Sequence, residues 1–151
     1  MITYDPHWGP LIARKAGTHF NIDCDRVVGR VRFTADGDEI LLGGSVFQNF
    51  THESIAIHVA SWEPNWINRE LLHHTFGYPF LQLGVERIFG QVPADKPAVL
   101  AFDLNLGFKE IARIPKVFEG GVDDIIVCME KSDCRFLRRP KGCSQSNLLA
   151  A

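Results

Sequence analysis

The stretch LGVERIFGQVPADKPAVLAFDLNLGFKEIARI, residues 83–114, sets the fold class of this chain. Within it, RIFGQVP (87–93) is typical of a short strand, and the segment between Pro97 and Gly107 is typical of a helix. Proline suits the first turn of a helix, where its missing N–H would have no partner, and glycine suits the left-handed position after the last turn. KEIARIPKVF (109–118) then predicts another strand. A strand, a helix and a strand in this order favour an α/β protein.

The segments upstream extend this pattern. GPLIARKAG (9–17) is typical of a short helix, with proline in its first turn and glycine as its C-terminal cap. VVGRVRF (27–33) and EILLGGSVFQNF (39–50) predict an antiparallel hairpin, because an Asp-Gly turn separates two strand-like runs. In the second run, Gly43 and Gly44 indicate a bulge or a close approach of two backbones.

The remaining elements follow from the two-residue period of strands and the 3.6-residue period of helices. SIAIHVA (54–60) alternates apolar with small or polar residues and predicts the third strand. One face of that strand carries Ile55, Ile57 and Val59, and the other carries Ser54, Ala56, His58 and Ala60. Residues 71–83 keep helical spacing, and Pro79 is expected to end the regular helix early. DDIIVCMEK (123–131) predicts the last strand. The helix that begins at Pro97 offers five residues to a core: Val99, Leu100, Phe102, Leu104 and Leu106.

Length and composition indicate a globular protein and argue against several classes. With 151 residues, 46% hydrophobic and 23% charged, we expect a single domain over residues 1–151, with a flexible tail over 138–151. The net charge of -2 argues against a nucleic-acid partner. No apolar run is long enough to span a membrane and the N-terminus lacks an export signal, so we expect a cytoplasmic protein. Four scattered cysteines indicate reduced thiols.

Histidines, glutamates and tryptophans cluster around the break EPNWIN (63–68), between the third strand and the following helix. Such a cluster raises the question of a metal site, which we do not expect. His73 and His74 are adjacent on a helix and point about 100° apart. Glu70 and His73 form a single Glu-x-x-His pair, whereas carboxylate-bridged metal sites need a second pair from another helix.

Residues 83–114, followed by DDIIVCMEKSDCRFL (123–137), resemble the second half of a GCN5-related N-acetyltransferase, especially the ribosomal-protein and small phage-borne branches. The resemblance extends from Val27 to Leu137, and residues 1–26 look like an abbreviated N-terminal region. It implies an α/β (α+β) fold with a central, mostly antiparallel mixed sheet. Helices would cover both faces of the sheet, and two central strands would splay apart.

The resemblance also implies a reaction and its ligands. Acetyl-CoA would be the acyl donor, and an amine of unknown identity would attack its thioester directly. Backbone groups of Ala56, Ile57 and His58 would hold the pantetheine, with His58 the best available base. Asp103 stands where the family has a tyrosine that protonates the leaving thiolate. The pyrophosphate would lie at the start of the next helix, with charge added by Lys96, at residues Asn65, Trp66, Ile67, Asn68 and Arg69. The expected partners are an acyl-CoA, an amine and, as an option, a second copy of the chain in a homodimer.

Each of these roles has a simpler alternative. Asn65 or Asn68 caps the following helix, His58 lines the face of its strand, and Asp103 faces solvent or caps a helix end. For the turn the residues do not choose between the two interpretations, whereas for His58 and Asp103 they favour the simpler one.

The turn also departs from the family pattern. Trp66 and Asn68 stand where the family has glycines, and Glu63 stands where it has Arg or Gln. Gln91 stands where some members place a glutamate base, and Lys96 where they place an asparagine. The departures favour a second hypothesis beside the enzyme: a catalytically degenerate, phage-encoded binding or structural module of the same fold.

Overall fold

The computed structural model describes residues 1–138 and residue 141. In this part of the chain the strands are β1 (Ile2–Thr3), β2 (Arg26–Phe33), β3 (Glu39–Gln48), β4 (Ser54–Ser61), β5 (Arg87–Pro93), β6 (Lys109–Phe118) and β7 (Val122–Glu130). The α-helices are α1 (Gly9–Ala16), α2 (Arg69–Gly77) and α3 (Pro97–Leu106). The predicted order of helices and strands is confirmed. The sequence did not predict β1, because a strand of two residues is too short to show a periodicity.

The strands form one mixed sheet in the order β1-β2-β3-β4-β5-β7-β6. All neighbouring strands are antiparallel except β4 and β5, which are parallel. A parallel pair needs a crossover connection, and α2 supplies it. The predicted fold class, a mostly antiparallel mixed sheet, is therefore confirmed.

Helices cover both faces of the sheet, as predicted. On one face Ile12 and Ala13 of α1 pack against Val27, Val46 and Ala60. The larger core lies on the opposite face, where α2 and the segment after it pack against alternate residues of the strands; among its buried members are Val28, Phe47, Ile57, Leu71, Phe80, Ile88 and Val127. Among the described residues, no helix is long and apolar enough to cross a membrane.

The parallel strands β4 and β5 are paired over a short distance only. Residues Ser54–Ala56 of β4 pair with Arg87–Phe89 of β5, and both strands continue beyond the last pair. The two strands separate from that point, which confirms the predicted splay. In the separated part Val59 is 38% exposed, although it lies on the same face of β4 as the buried Ile57.

The two adjacent glycines of β3 permit close approaches, as the sequence indicated. The register of β2 and β3 shifts next to Gly43, which leaves Leu42 as the extra residue of a bulge. A Cβ atom on Gly43 would lie 2.5 Å from Cε3 of Trp66, and one on Gly44 would lie 2.9 Å from the Cα of Gly29. Because Gly43 has no side chain, the ring of Trp66 can pack against its backbone. Because Gly44 has none, the backbone of Gly29 can lie close to it.

The helix ends are as the sequence predicted, but the buried face of α3 is not. α2 ends at Gly77, and a π-type segment containing Pro79 follows it. In α3 no residue is fully buried. Leu100 and Leu106 pack against the larger core, whereas Val99 and Leu104 are each 43% exposed. The five apolar residues of α3 are therefore not all core residues, because the helix lies over the gap between β4 and β5 instead of over a continuous sheet.

The predicted tail over residues 138–151 lies, apart from Arg138 and Lys141, outside the described residues. The abbreviated region 1–26 contains β1, a short 3-10 turn and α1.

Candidate functional site

A cavity of about 470 Å³ opens where β4 and β5 separate. Its floor is formed by the ends of both strands, and its walls by α2 and α3. The side chains that give it an apolar interior include Ile57, Leu71, Phe76, Phe102, Leu106 and Phe108. A volume of this size is typical of a small-molecule binding site.

A smaller cavity of about 220 Å³ lies on the α1 side of the sheet. Ala56, Phe89 and Ile126 line it, and by strand alternation these residues face away from the larger core. The two cavities share four lining residues: Ile57, His58, Gly90 and Gln91. The two cavities therefore adjoin one another at the gap between the strands.

The structure brings together most of the residues predicted for the site. The larger cavity is lined by Ile57, His58, Trp66, Ile67, Lys96 and Asp103. Ala56 lines the smaller cavity, together with Ile57 and His58. Asn65, Asn68 and Arg69 line neither cavity.

The turn before α2 is held in place by hydrogen bonds within the protein. Nη1 of Arg30 donates to the carbonyl oxygens of Asn65 and Trp66, at 2.8 and 3.1 Å. Oδ1 of Asn68 accepts a hydrogen bond from the backbone N–H of Leu71 at 2.8 Å, which caps the helix. Of the two candidate caps, the structure thus assigns the role to Asn68.

Trp66 forms one wall of the larger cavity. Its ring lies against the backbone of Gly43, and its centroid is 6.3 Å from that of Phe102 on α3. The ring therefore spans the distance from β3 to α3, and the width of the cavity depends on its position.

A second lysine, which the sequence analysis missed, lines the larger cavity beside Lys96. Lys15 of α1 donates a hydrogen bond to the carbonyl oxygen of Ser61, and its ammonium lies 4.7 Å from the centroid of the Trp62 ring. No motif marks Lys15, because it reaches the cavity only through the packing of α1 against β4.

Burial changes the acidity of two residues that line the larger cavity. It lowers the pKa of His58, and the nearby carboxylate of Asp25 partly opposes this effect. Burial raises the pKa of Asp103 from 3.8 to about 6. His58 is therefore suited to accept a proton near neutrality, and Asp103 holds its proton more tightly than an exposed aspartate does.

Among the described residues, no group of three or more His, Cys, Asp or Glu side chains could hold a metal ion. The two helical histidines are buried and hydrogen-bonded within the protein. Nδ1 of His73 is 3.0 Å from the carbonyl oxygen of Phe136, and Nδ1 of His74 is 2.5 Å from the hydroxyl of Tyr4.

Comparison with protein-family models and with curated proteins finds no match to this chain. Comparison with solved structures does find similar folds. Spermidine/spermine N-acetyltransferase SpeG from Vibrio cholerae in complex with manganese ions matches with a TM-score of 0.65 at 15% identity, over 87% of this chain and 92% of that one. Spermidine N-acetyltransferase from the same organism in complex with CoA and spermine matches with a TM-score of 0.60 at 19% identity, over 77% and 70%. A dodecameric structure of that enzyme matches with a TM-score of 0.59. At these identities the likeness shows the fold alone, which this chain shares with these N-acetyltransferase structures.

Proposed function

We propose that this chain is an acetyl-CoA-dependent N-acetyltransferase. The observation that carries the proposal is the gap between β4 and β5, where a large apolar cavity and a smaller one share four lining residues. A reaction between two substrates needs such a shared site, because donor and acceptor must meet at one point. A neighbour of the same fold in complex with CoA and spermine supports the assignment.

The larger cavity suits the acyl donor. Ile57 and His58 lie beyond the last residue pair of β4 and β5, so the open edge of the strand is available to the amide groups of pantetheine. Lys15 and Lys96 add positive charge that attracts phosphate groups.

Two residues would move protons in the proposed reaction. Bound acetyl-CoA supplies the acetyl group as a thioester; an amine attacks its carbonyl carbon, so that a C–N bond forms and the C–S bond breaks. His58 would accept the proton that the attacking amine loses, since burial keeps its imidazole neutral. Asp103 would donate a proton to the leaving sulfur.

The proposal includes a homodimer. β6 lies at an edge of the sheet, where it exposes the apolar side chains of Ile111, Ile114 and Val117. Exposed apolar residues on an edge strand are suited to contact with a second chain.

One observation favours the second candidate, a degenerate module of the same fold. The Asn68 side chain accepts a hydrogen bond from the backbone N–H of Leu71, and the Trp66 ring lies over Gly43. Both side chains stand where the family has glycines, which leaves less backbone exposed to a pyrophosphate. Binding of acetyl-CoA separates the two candidates.

Isothermal titration of the protein with acetyl-CoA is expected to give a dissociation constant in the micromolar range. Lys96→Ala should weaken binding roughly three- to ten-fold, because it removes one charge from the wall of the cavity. Lys109→Ala is the matched control, since Lys109 pairs with Asp133 on the surface and does not line the cavity. An absence of binding at millimolar acetyl-CoA would overturn the proposed enzyme in favour of the degenerate module.

The stability of the protein should depend on pH through Asp103. Its folded pKa of about 6 exceeds the ordinary 3.8, so the folded state holds the proton more tightly than the unfolded state does. The stabilisation is complete below the ordinary pKa and is lost as the pH rises through 6. Asp103→Asn should therefore be more stable relative to wild type at pH 7.5 than at pH 4, as a larger free energy of unfolding measured by urea denaturation. The substitution Asp95→Asn, at an exposed residue, serves as the control. If Asp103→Asn differed from wild type by the same free energy of unfolding at both pH values, the raised pKa assigned to Asp103 would be contradicted.

A further inference from the structure

A carboxylate is buried in the sheet next to Gln91, which both cavities share. Asp124 of β7 is 0% exposed, and β7 is flanked by β5 and β6. Its Oδ2 accepts a hydrogen bond from Nε2 of Gln91 at 2.9 Å. Its Oδ1 has no hydrogen-bond partner among the described residues. A buried carboxylate with one unpartnered oxygen reduces stability, so packing alone gives no reason for an aspartate at this position.

Gln91 connects this carboxylate to the proposed site. Its side chain lines both cavities, and it lies on the face of β5 that carries Phe89. Because an ionised carboxylate only accepts hydrogen bonds, it holds the NH₂ end of the amide toward itself. The other end of the amide, Oε1, is then directed away from Asp124, and no described residue donates a hydrogen bond to it. The fixed end of Gln91 is a donor, and its free end is an acceptor.

The surroundings of the smaller cavity favour a positively charged guest. The cavity is lined by Asn49, His58 and Gln91 together with apolar side chains, and none of the described lysines and arginines lines it. A second buried carboxylate, Asp25, lies close enough to His58 to influence its pKa. Arg87, at the start of β5, is paired with Glu130 at 3.4 Å. The small volume and the acceptor oxygen together suit the ammonium end of an aliphatic amine.

We propose that Asp124 is a positioning residue that turns the amide oxygen of Gln91 toward the smaller cavity, where it accepts a hydrogen bond from the ammonium of a small aliphatic amine. The inference rests on the proposed acetyltransferase function and specifies its acceptor. The amine is bound as the ammonium, loses a proton to His58, and then attacks the acetyl carbon. Gln91 holds the nitrogen in place and takes no proton itself.

Asp124→Asn is the decisive variant. An asparagine has nearly the same shape, but its NH₂ group competes with that of Gln91, so the amide of Gln91 is no longer held in one orientation. We expect the KM for n-butylamine to rise about ten-fold or more, with the dissociation constant of acetyl-CoA unchanged. Because burial raises the pKa of Asp124, the neutral asparagine should not reduce stability. Asp123→Asn is the matched control, since the neighbouring carboxylate accepts from the backbone N–H of Lys116 instead.

A double-mutant cycle separates positioning from a merely structural role. Gln91→Met removes the acceptor oxygen and should itself raise the KM for n-butylamine. In that background Asp124→Asn should have no further effect, because its influence passes through Gln91. If the two substitutions raised the KM for n-butylamine independently, so that their fold-changes multiplied, the proposal would be overturned.

The acceptor series distinguishes failure of this inference from failure of the enzyme. With acetyl-CoA bound, release of the CoA thiol is followed with n-butylamine, with spermidine and with aniline, which is uncharged at pH 7.5. Turnover of the aliphatic amines and not of aniline supports the proposal. Equal turnover of aniline, or no turnover of any amine by a protein that binds acetyl-CoA, overturns the acceptor assignment alone. Absence of acetyl-CoA binding overturns the proposed function as well.

Discussion

Replacing Gly43 by alanine is expected to weaken acetyl-CoA binding by about ten-fold or more, although Gly43 does not line the cavity. The new Cβ would lie 2.5 Å from Cε3 of Trp66 and 2.7 Å from Cδ2, distances at which the ring must move. Trp66 lines the cavity, and its carbonyl is tied to Arg30, so the ring has little freedom to move without displacing the turn. We also expect a loss of stability of about 1–3 kcal/mol. Isothermal titration and urea denaturation measure the two effects.

Gly44→Ala provides the matched control. Its Cβ would meet Ile12 of α1 and the backbone of Gly29, on the face of the sheet away from Trp66. It should reduce stability, whereas the affinity of the folded protein for acetyl-CoA should not change. In a Trp66→Ala background, Gly43→Ala should cost little stability, because the clash has been removed. If Gly43→Ala destabilised both backgrounds equally, the explanation through Trp66 would be wrong.

Replacing Phe80 by alanine is expected to reduce the free energy of unfolding by about 3–5 kcal/mol. Phe80 lies in the π-type segment after α2, is 0% exposed, and belongs to the larger core. Its removal takes away apolar contacts and leaves a cavity that the surrounding sheet cannot fill by relaxation. Urea denaturation gives the free energy directly, with the slope of the transition as a check that the folding mechanism is unchanged.

The next residue along the chain serves as the control for Phe80. Leu81 is in the same segment but is 49% exposed, so Leu81→Ala should change the free energy of unfolding by less than about 0.5 kcal/mol. Similar losses from the two variants would mean that the segment contributes through its backbone conformation and not through the burial of Phe80.

Much of the fold follows from local signals. Pro10 with Gly17, and Pro97 with Gly107, mark the two ends of a helix, because the conformations that these residues favour are needed there whatever the rest of the chain does. The Asp-Gly turn likewise joins two antiparallel strands. In α3, by contrast, apolar residues occur all around the helix, so periodicity could not show that Val99 and Leu104 are exposed.

The candidate site was predictable only in part. Six residues predicted for the site line the larger cavity: Ile57, His58, Trp66, Ile67, Lys96 and Asp103. They lie on or next to elements whose order the sequence predicted, and their roles in binding and catalysis stay predictions. Asn65 and Asn68 were equal candidates for the cap, and the hydrogen bond to Leu71 decides for Asn68.

By itself, the sequence determined the order of helices and strands, the helix ends and the hairpin, since each depends on neighbouring residues and on short periodicities. The fold class was implied by the resemblance of residues 27–137 to the GCN5-related N-acetyltransferases. Only the tertiary structure decided which side chains meet across the sheet. Trp66 lies on Gly43, Lys15 reaches the larger cavity, and Asp124 contacts Gln91 across two strands. Each of these contacts joins residues more than 20 positions apart in the sequence. Strand register and helix packing bring these residues together, and no local pattern specifies either of them.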